Sequence, residues 1–117
     1  MFDLTLGTAV YLSCGTTDCR RSFNGLAAMV KHNFQLDPYS KAMFVFCNRN
    51  RRIIKILQWD GSGFWLFIKR LDQGNFNWPM TKDEVKKVST KELSWLLQGL
   101  SLEQKRAFKE RHPNIVL

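Results

Sequence analysis

The sequence contains few of the residues from which metal and disulfide sites are built. It has two histidines, His32 and His112, and three cysteines, Cys14, Cys19 and Cys47. The cysteine count is odd, and no two cysteines stand in a CxxC pair. This composition argues against a zinc site and against a disulfide framework. We therefore expect free thiols that are buried or half-buried, and no bound metal.

Long apolar runs are also missing. No stretch reaches the roughly 20 consecutive apolar residues that a membrane-spanning helix needs. The first residues, "MFDLTLGTAVYLSCG", carry an acid at Asp3 and no cationic region, so they do not resemble a signal peptide. These features predict a cytoplasmic protein without a membrane partner.

The common catalytic motifs are absent from the sequence. There is no HExxH sequence, no GxxxxGK[ST] phosphate loop and no nucleophile–base arrangement near either histidine. Metal-dependent phosphoryl transfer needs carboxylates that converge on metal ions. The acids of the central region each have a local explanation as a helix cap or a turn residue: Asp18, Asp37, Asp60 and Asp72. We therefore expect no enzymatic activity, no cofactor and no small-molecule substrate.

Acidic residues are scarce where basic residues are dense. The 117-residue chain has 18 Lys and Arg against 10 Asp and Glu, a net charge of +8. Residues 20–70 hold ten Lys and Arg but only two acids, Asp37 and Asp60. Such a concentration of charge favours a cationic face with an anionic partner, and a solvated face is the alternative. The length fits a single domain, residues 1–117, with a helical tail over 100–117.

Runs of β-branched and aromatic residues predict strands at four places. These runs are 8–13, 41–47, 53–59 and 64–71. Short loops join the last three, and one loop contains the hairpin signal Asp60-Gly61. We therefore predict a three-stranded antiparallel meander. A short edge strand is predicted over 74–80, because Pro79 cannot donate to a ladder, and a loop over 81–87.

Apolar spacing predicts helices on both sides of this sheet. The first lies within residues 16–34, with Asp18 as its N-cap. Its apolar stripe contains Cys19, Phe23, Leu26, Val30 and Phe34. A second helix follows the capping-box pair Ser89 and Glu92 and ends at Gly99, and a third is predicted over 101–112. The fold class is α+β: a small antiparallel sheet with the meander, one packed N-terminal helix and a C-terminal helical hairpin.

The stretch "CNRNRRIIK" is the strongest candidate for a binding site. It places Arg49, Arg51, Arg52 and Lys55 on one predicted hairpin, where like charges repel unless an anion neutralises them. A two-stranded ribbon can reach a duplex groove, and backbone phosphates would neutralise the charge. Four further cations could join this hairpin to form a nucleic-acid-binding surface: Arg20, Arg21, Lys69 and Arg70.

Aromatic residues offer a different interpretation of the same region. Six of them lie between residues 59 and 78: Trp59, Phe64, Trp65, Phe67, Phe76 and Trp78. If some are exposed, they could form a protein interface. If they are buried, they form the core of the sheet.

Three segments, in this order and spacing, resemble one family: "VYLSCGTTDCRRSFNGLAAMV", "DPYSKAMFVFCNRNRRIIKILQWDGSGFWLFIKRLDQGNFNWP" and "STKELSWLLQGL". The family is the TnpB-type accessory protein, the second reading frame, of the bacterial insertion-sequence family numbered sixty-six. The resemblance covers about residues 10–99. The chain departs from the usual family pattern at Tyr11, Ser22 and Met43, and the tail is more variable.

The resemblance implies a role beside a larger transposase in DNA transposition, but it supplies no active site. Combined with the charge pattern, it leads to the hypothesis of a non-catalytic accessory factor that binds element DNA through the basic hairpin. The alternative is a protein–protein adaptor that recruits or regulates the transposase without touching DNA. The expected partners are therefore DNA and the transposase encoded by the same element.

Overall fold

The computed structural model describes residues 8–102. This part of the chain folds into five strands and two helices, in this order: β1 (Val10–Ser13), α1 (Phe23–His32), β2 (Met43–Cys47), β3 (Ile53–Trp59), β4 (Phe64–Arg70), β5 (Val85–Val88) and α2 (Thr90–Leu97). The strands form a single sheet in the order β4-β3-β2-β1-β5. The α+β class agrees with the prediction.

The sheet is mixed, so the predicted purely antiparallel arrangement is wrong. β1 runs parallel to β2, with Val10 opposite Met43 and Leu12 opposite Val45. The connection between them contains α1. A helical crossover returns the chain to the same end of the sheet, which makes the two strands parallel.

Short turns between consecutive strands make the other half of the sheet, β2 to β4, antiparallel. β2 pairs antiparallel with β3, with Val45 opposite Ile56. β3 pairs antiparallel with β4, with Ile56 opposite Phe67. Because side chains alternate between the two faces of a strand, this register decides which cations share a face.

Each face of the sheet is covered by one helix. On one face, α1 packs its buried residues Leu26, Ala27 and Val30 over a group from the sheet: Phe44, Phe46 and Leu57. On the other, α2 packs Leu93 and Leu96 over a second group: Val10, Leu12, Val45, Ile54 and Ile56. Each fully buried Leu, Ile or Phe contributes roughly 1.5–3 kcal/mol to stability. We call these the α1 face and the α2 face.

The N-terminal helix begins later than predicted. Ser22 occupies its N-cap position, so the prediction that Asp18 caps it is wrong. Asp18 Oδ1 accepts instead from the backbone N–H of Arg20 at 3.0 Å. The N–H of Thr17 donates to the carbonyl of Cys47 at 2.8 Å, which holds this loop against the end of β2. A local side-chain bond thus competes successfully with the helix for this segment.

The second helix has the predicted ends. Ser89 Oγ accepts from the N–H of Glu92, and the Glu92 side chain accepts from the N–H of Ser89, so the capping box is confirmed. Gly99 has φ +83°, as expected of a residue that follows a helix in the left-handed region. The N–H groups of Gly99 and Leu100 donate to the carbonyls of Leu96 and Trp95, which completes a Schellman motif.

Two predictions for residues 74–87 are wrong. Residues 74–80 form no strand, although Phe76 and Trp78 alternate inward as a strand would. The segment crosses the α2 face, and Trp78 Nε1 donates to the carbonyls of Ser13 and Gly15 at 3.0 and 2.9 Å. The predicted loop over 81–87 contains most of β5. Its polar sequence favoured a loop, but an edge strand tolerates exposed lysines.

Three further predictions concern the cysteines, a membrane-spanning helix and the C-terminal helix. Cys14, Cys19 and Cys47 are free and buried, as predicted. No helix among residues 8–102 combines the length and apolar character needed to cross a membrane. The predicted helix over 101–112 lies almost entirely outside the described residues, so the C-terminal helical hairpin remains a prediction.

Candidate nucleic-acid interface

The turn between β2 and β3 holds three of the predicted cations. Asn48 organises it, because its Oδ1 accepts from the N–H groups of Arg52 and Ile53, each at 2.9 Å. The N–H of Arg51 donates to the carbonyl of Asn48 at 3.0 Å, and Arg51 has φ +59°. Arg49, Arg51 and Arg52 are all exposed on this turn. The sequence did not suggest that Asn48 would be the residue that positions them.

The loop before α1 brings Arg20 to the same end of the sheet. An open cleft of about 490 Å³ separates this loop from the β2–β3 turn, and Arg20 and Arg49 both line it. Arg20 is paired with Asp18, at 3.0 Å between Nε and Oδ1. Hydrogen bonds from the Arg20 side chain and backbone lower the pKa of Asp18 to about 2, so this acid is ionised at neutral pH and offsets part of the Arg20 charge.

Lys55 joins β3 to the same loop. It is half-buried on the α1 face, and its Nζ donates to the carbonyl of Arg21 at 3.3 Å. This contact joins residues that are 34 positions apart in the sequence. Arg21 itself is exposed. The structure therefore brings the cations of the loop before α1 close to those of the β2–β3 hairpin. The sequence alone did not establish this proximity.

The two cations at the end of β4 point to different faces. Arg70 is opposite Ile53, and Lys69 is opposite the buried Ile54 of the α2 face. Lys69 Nζ donates to the carbonyl of Leu97, at the C-terminal end of α2. A cation there stabilises the end of the helix, so Lys69 has a structural role away from the other predicted residues. The register, which the sequence alone does not give, makes this distinction.

We define the cationic surface as the predicted residues other than Lys69: Arg20, Arg21, Arg49, Arg51, Arg52, Lys55 and Arg70. Within residues 8–102, no group of three His, Cys, Asp or Glu side chains could hold a metal ion. Burial raises the pKa of Cys47 to about 12, so this thiol is protonated at neutral pH. The arrangement can bind an anion, and an extended anion such as a nucleic-acid backbone would reach several of its cations.

The described residues thus define a small α+β domain that bears a surface suited to anions. The profile of the family described as "IS66 Orf2 like protein" matches residues 8–107. The chain belongs to this family, which has an accessory role associated with transposition. The predicted resemblance is confirmed.

Two similar proteins come from Sinorhizobium fredii (strain NBRC 101917 / NGR234). The chain is 38% identical to the uncharacterized protein y4hO over 91 residues, which is 78% of this chain and 79% of y4hO. It is 36% identical to the uncharacterized protein y4jC over 94 residues, 80% of each chain. No solved structure matches.

Proposed function

We propose that this protein is a non-catalytic accessory factor in DNA transposition, and that it contacts element DNA through the cationic surface. The transposase encoded by the same element is its expected protein partner. DNA contacts of this kind are made to phosphates, which gives affinity and orientation but no sequence information. The protein would hold or present DNA for a reaction that another protein catalyses.

One observation carries the proposal: the bond from Lys55 Nζ to the Arg21 carbonyl. It fixes the loop that carries Arg20 and Arg21 beside β3, the strand that follows the turn between β2 and β3, which we call the cationic turn. Cations from the loop, the turn and β3 therefore lie at one end of the sheet. Asp18 is the acid among them, and it is already paired with Arg20. The remaining cations are available to phosphates.

The test is a binding titration with a fluorescently labelled duplex that carries the terminal repeat of the element. Anisotropy would be measured for the wild type and for Arg49→Glu/Arg51→Glu. Both arginines are exposed on the turn that Asn48 organises, so the fold should survive. We expect at least a tenfold loss of affinity at low salt, because each lost phosphate contact also becomes a repulsion.

The matched control is Lys86→Glu/Lys87→Glu. These lysines are exposed on β5, at the opposite edge of the sheet from β4, and the variant changes the net charge by the same amount. Affinity within about threefold of the wild type would show that position matters as well as total charge. Equal losses of affinity in the two variants would show that binding depends on total charge and not on the cationic surface. That result, or no binding by the wild type, would contradict the proposal.

A second function is favoured by the outer edge of β4. Among the described strands, β4 pairs only with β3, and its Trp65 and Ile68 side chains are 48% and 59% exposed. An open edge with exposed apolar side chains can add a strand from a partner. An adaptor that recruits or regulates the transposase without touching DNA could use it. If the wild type binds no DNA, co-purification with the transposase tests this function.

A further inference from the structure

Four aromatic rings cluster on the α1 face, at the end of β3 that is remote from the cationic turn. The ring centroids of Tyr39 and Trp59 are 5.0 Å apart, and those of Trp59 and Phe64 are 4.9 Å apart. Phe23 adjoins Phe64 at 6.2 Å. Tyr39 is 56% exposed and Phe23 is 45% exposed, so these rings do not only fill a core. They present π-surface to solvent.

The ring cluster and the cationic surface are continuous. Lys55, Leu57 and Trp59 alternate along β3 on the same face, so about 13 Å of strand separates the lysine from the tryptophan. Phe23 begins α1 directly after the loop whose Arg21 carbonyl accepts from Lys55. The loop before α1 thus connects the exposed rings with the cations.

A second line of side chains runs along β4 on this face. Phe64, Leu66, Ile68 and Arg70 follow one another over about 20 Å. Ile68 is opposite Lys55 and is 59% exposed. The strand therefore offers an apolar floor, with an aromatic ring at one end and a cation at the other.

We propose that this surface binds single-stranded DNA, with bases stacked on Tyr39 and Phe23 and phosphates held by Arg21, Lys55 and Arg70. This inference rests on the proposed function and names its substrate. A duplex hides the faces of its bases, whereas an unpaired strand exposes them to aromatic side chains. A positively charged track beside exposed rings is the usual surface for single strands.

The acids near the rings are already engaged. Asp37 Oδ1 accepts from the N–H of Tyr39 at 2.9 Å. Asp60 accepts from the N–H groups of Ser62 and Gly63 and from Trp65 Nε1. Lys41, which the sequence did not single out, is exposed, and its side chain lies close to Gly61 in the turn after β3. The charge around the rings therefore also favours a polyanion.

The test compares a labelled oligothymidylate of about 12 nucleotides with the same strand paired to its complement. Anisotropy would be measured for the wild type, for Tyr39→Ala and for Trp65→Ala. Trp65 is the matched control because it is similarly exposed, at 48%, but is opposite Gln58 on the α2 face. Thermal melting would establish that both variants fold.

We expect the single strand to bind at least tenfold more tightly than the duplex. Tyr39→Ala should weaken single-strand binding about tenfold and leave duplex binding within twofold, because only unpaired bases stack. Trp65→Ala should change neither. Duplex binding that equals or exceeds single-strand binding would overturn this inference alone, as would equal effects of the two variants. Failure of both DNAs to bind would overturn the proposed function as well.

Discussion

Asp60 shows how much structure one side chain can fix in this protein. Its Oδ1 accepts from the N–H groups of Ser62 and Gly63, each at 2.9 Å, and its Oδ2 accepts from Trp65 Nε1 at 2.8 Å. The carboxylate therefore closes the β3–β4 hairpin and holds the first residues of β4, which is an edge strand. Backbone hydrogen bonds from Ser62 and Gly63 lower the pKa of Asp60 to about 2.

This pKa predicts the direction of one pH effect. A carboxyl whose pKa is lower in the folded state stabilises the fold above its unfolded pKa, near 4, and loses that contribution as the pH falls toward 2. We expect the Asp60 carboxyl carbon, followed by NMR, to titrate with a midpoint near 2. The signal would be assigned by its loss in Asp60→Asn. A midpoint near 4 would contradict the hydrogen bonding described for this turn.

Two glycines in the same turn give a paired prediction about stability. Gly61 has φ +104°, whereas Gly63 is not in the positive-φ region and has open space around it. Gly61→Ala should lower the free energy of unfolding by about 1–2 kcal/mol, because the left-handed backbone strains any other residue. Gly63→Ala should be within about 0.5 kcal/mol of the wild type. Urea denaturation measures both, and equal losses would show that the turn has a different conformation.

At the scale of elements, local sequence patterns predict where strands and helices lie better than they predict which strands pair. β2, β3 and β4 lie within the predicted runs 41–47, 53–59 and 64–71, because β-branched and aromatic residues favour strands. α2 has its predicted caps because capping depends on neighbouring residues. These features are local, so the sequence suffices for them.

Long-range pairing was not predictable from the same patterns. The position of β1 between β2 and β5 depends on a crossover through α1 and on a strand that arrives about 70 residues later. β5 is recognisable only through its partner, because Lys86 and Lys87 give it a polar sequence. Phe76 and Trp78 show the opposite case: a strand-like alternation that fills the core without forming a ladder. In both cases tertiary context decides the outcome.

The cap of α2 yields a prediction at this scale. Ser89→Ala removes the oxygen that accepts from the Glu92 N–H at 3.0 Å and should cost about 1 kcal/mol of stability. Ser94→Ala, inside the same helix, should change stability by less than about 0.5 kcal/mol. Chemical denaturation followed by far-UV circular dichroism measures the difference. A Ser89→Ala variant as stable as Ser94→Ala would mean that α2 is stabilised by packing alone.

For the whole molecule, folding converts a list of charges into a surface. The sequence predicted eight binding residues, and seven of them remain candidates for one surface. Lys69 is the exception, because alternation along β4 directs it to the C-terminal end of α2. Conversely, the contact between Lys55 and Arg21 joins segments that no local pattern could connect. Which cations share a face depends on the register of the strands and on where the loop before α1 packs against the sheet. Neither can be derived from the composition.

The salt dependence of DNA binding tests this account most directly. Affinity for DNA would be measured by anisotropy at several salt concentrations, for the wild type and for Arg49→Glu/Arg51→Glu. Each phosphate contact contributes close to one to the slope of log affinity against log salt, so the double variant should reduce that slope by about two. Lys86→Glu/Lys87→Glu should keep the wild-type slope. A slope near zero for the wild type, or the same slope in all three proteins, would contradict binding through the cationic surface.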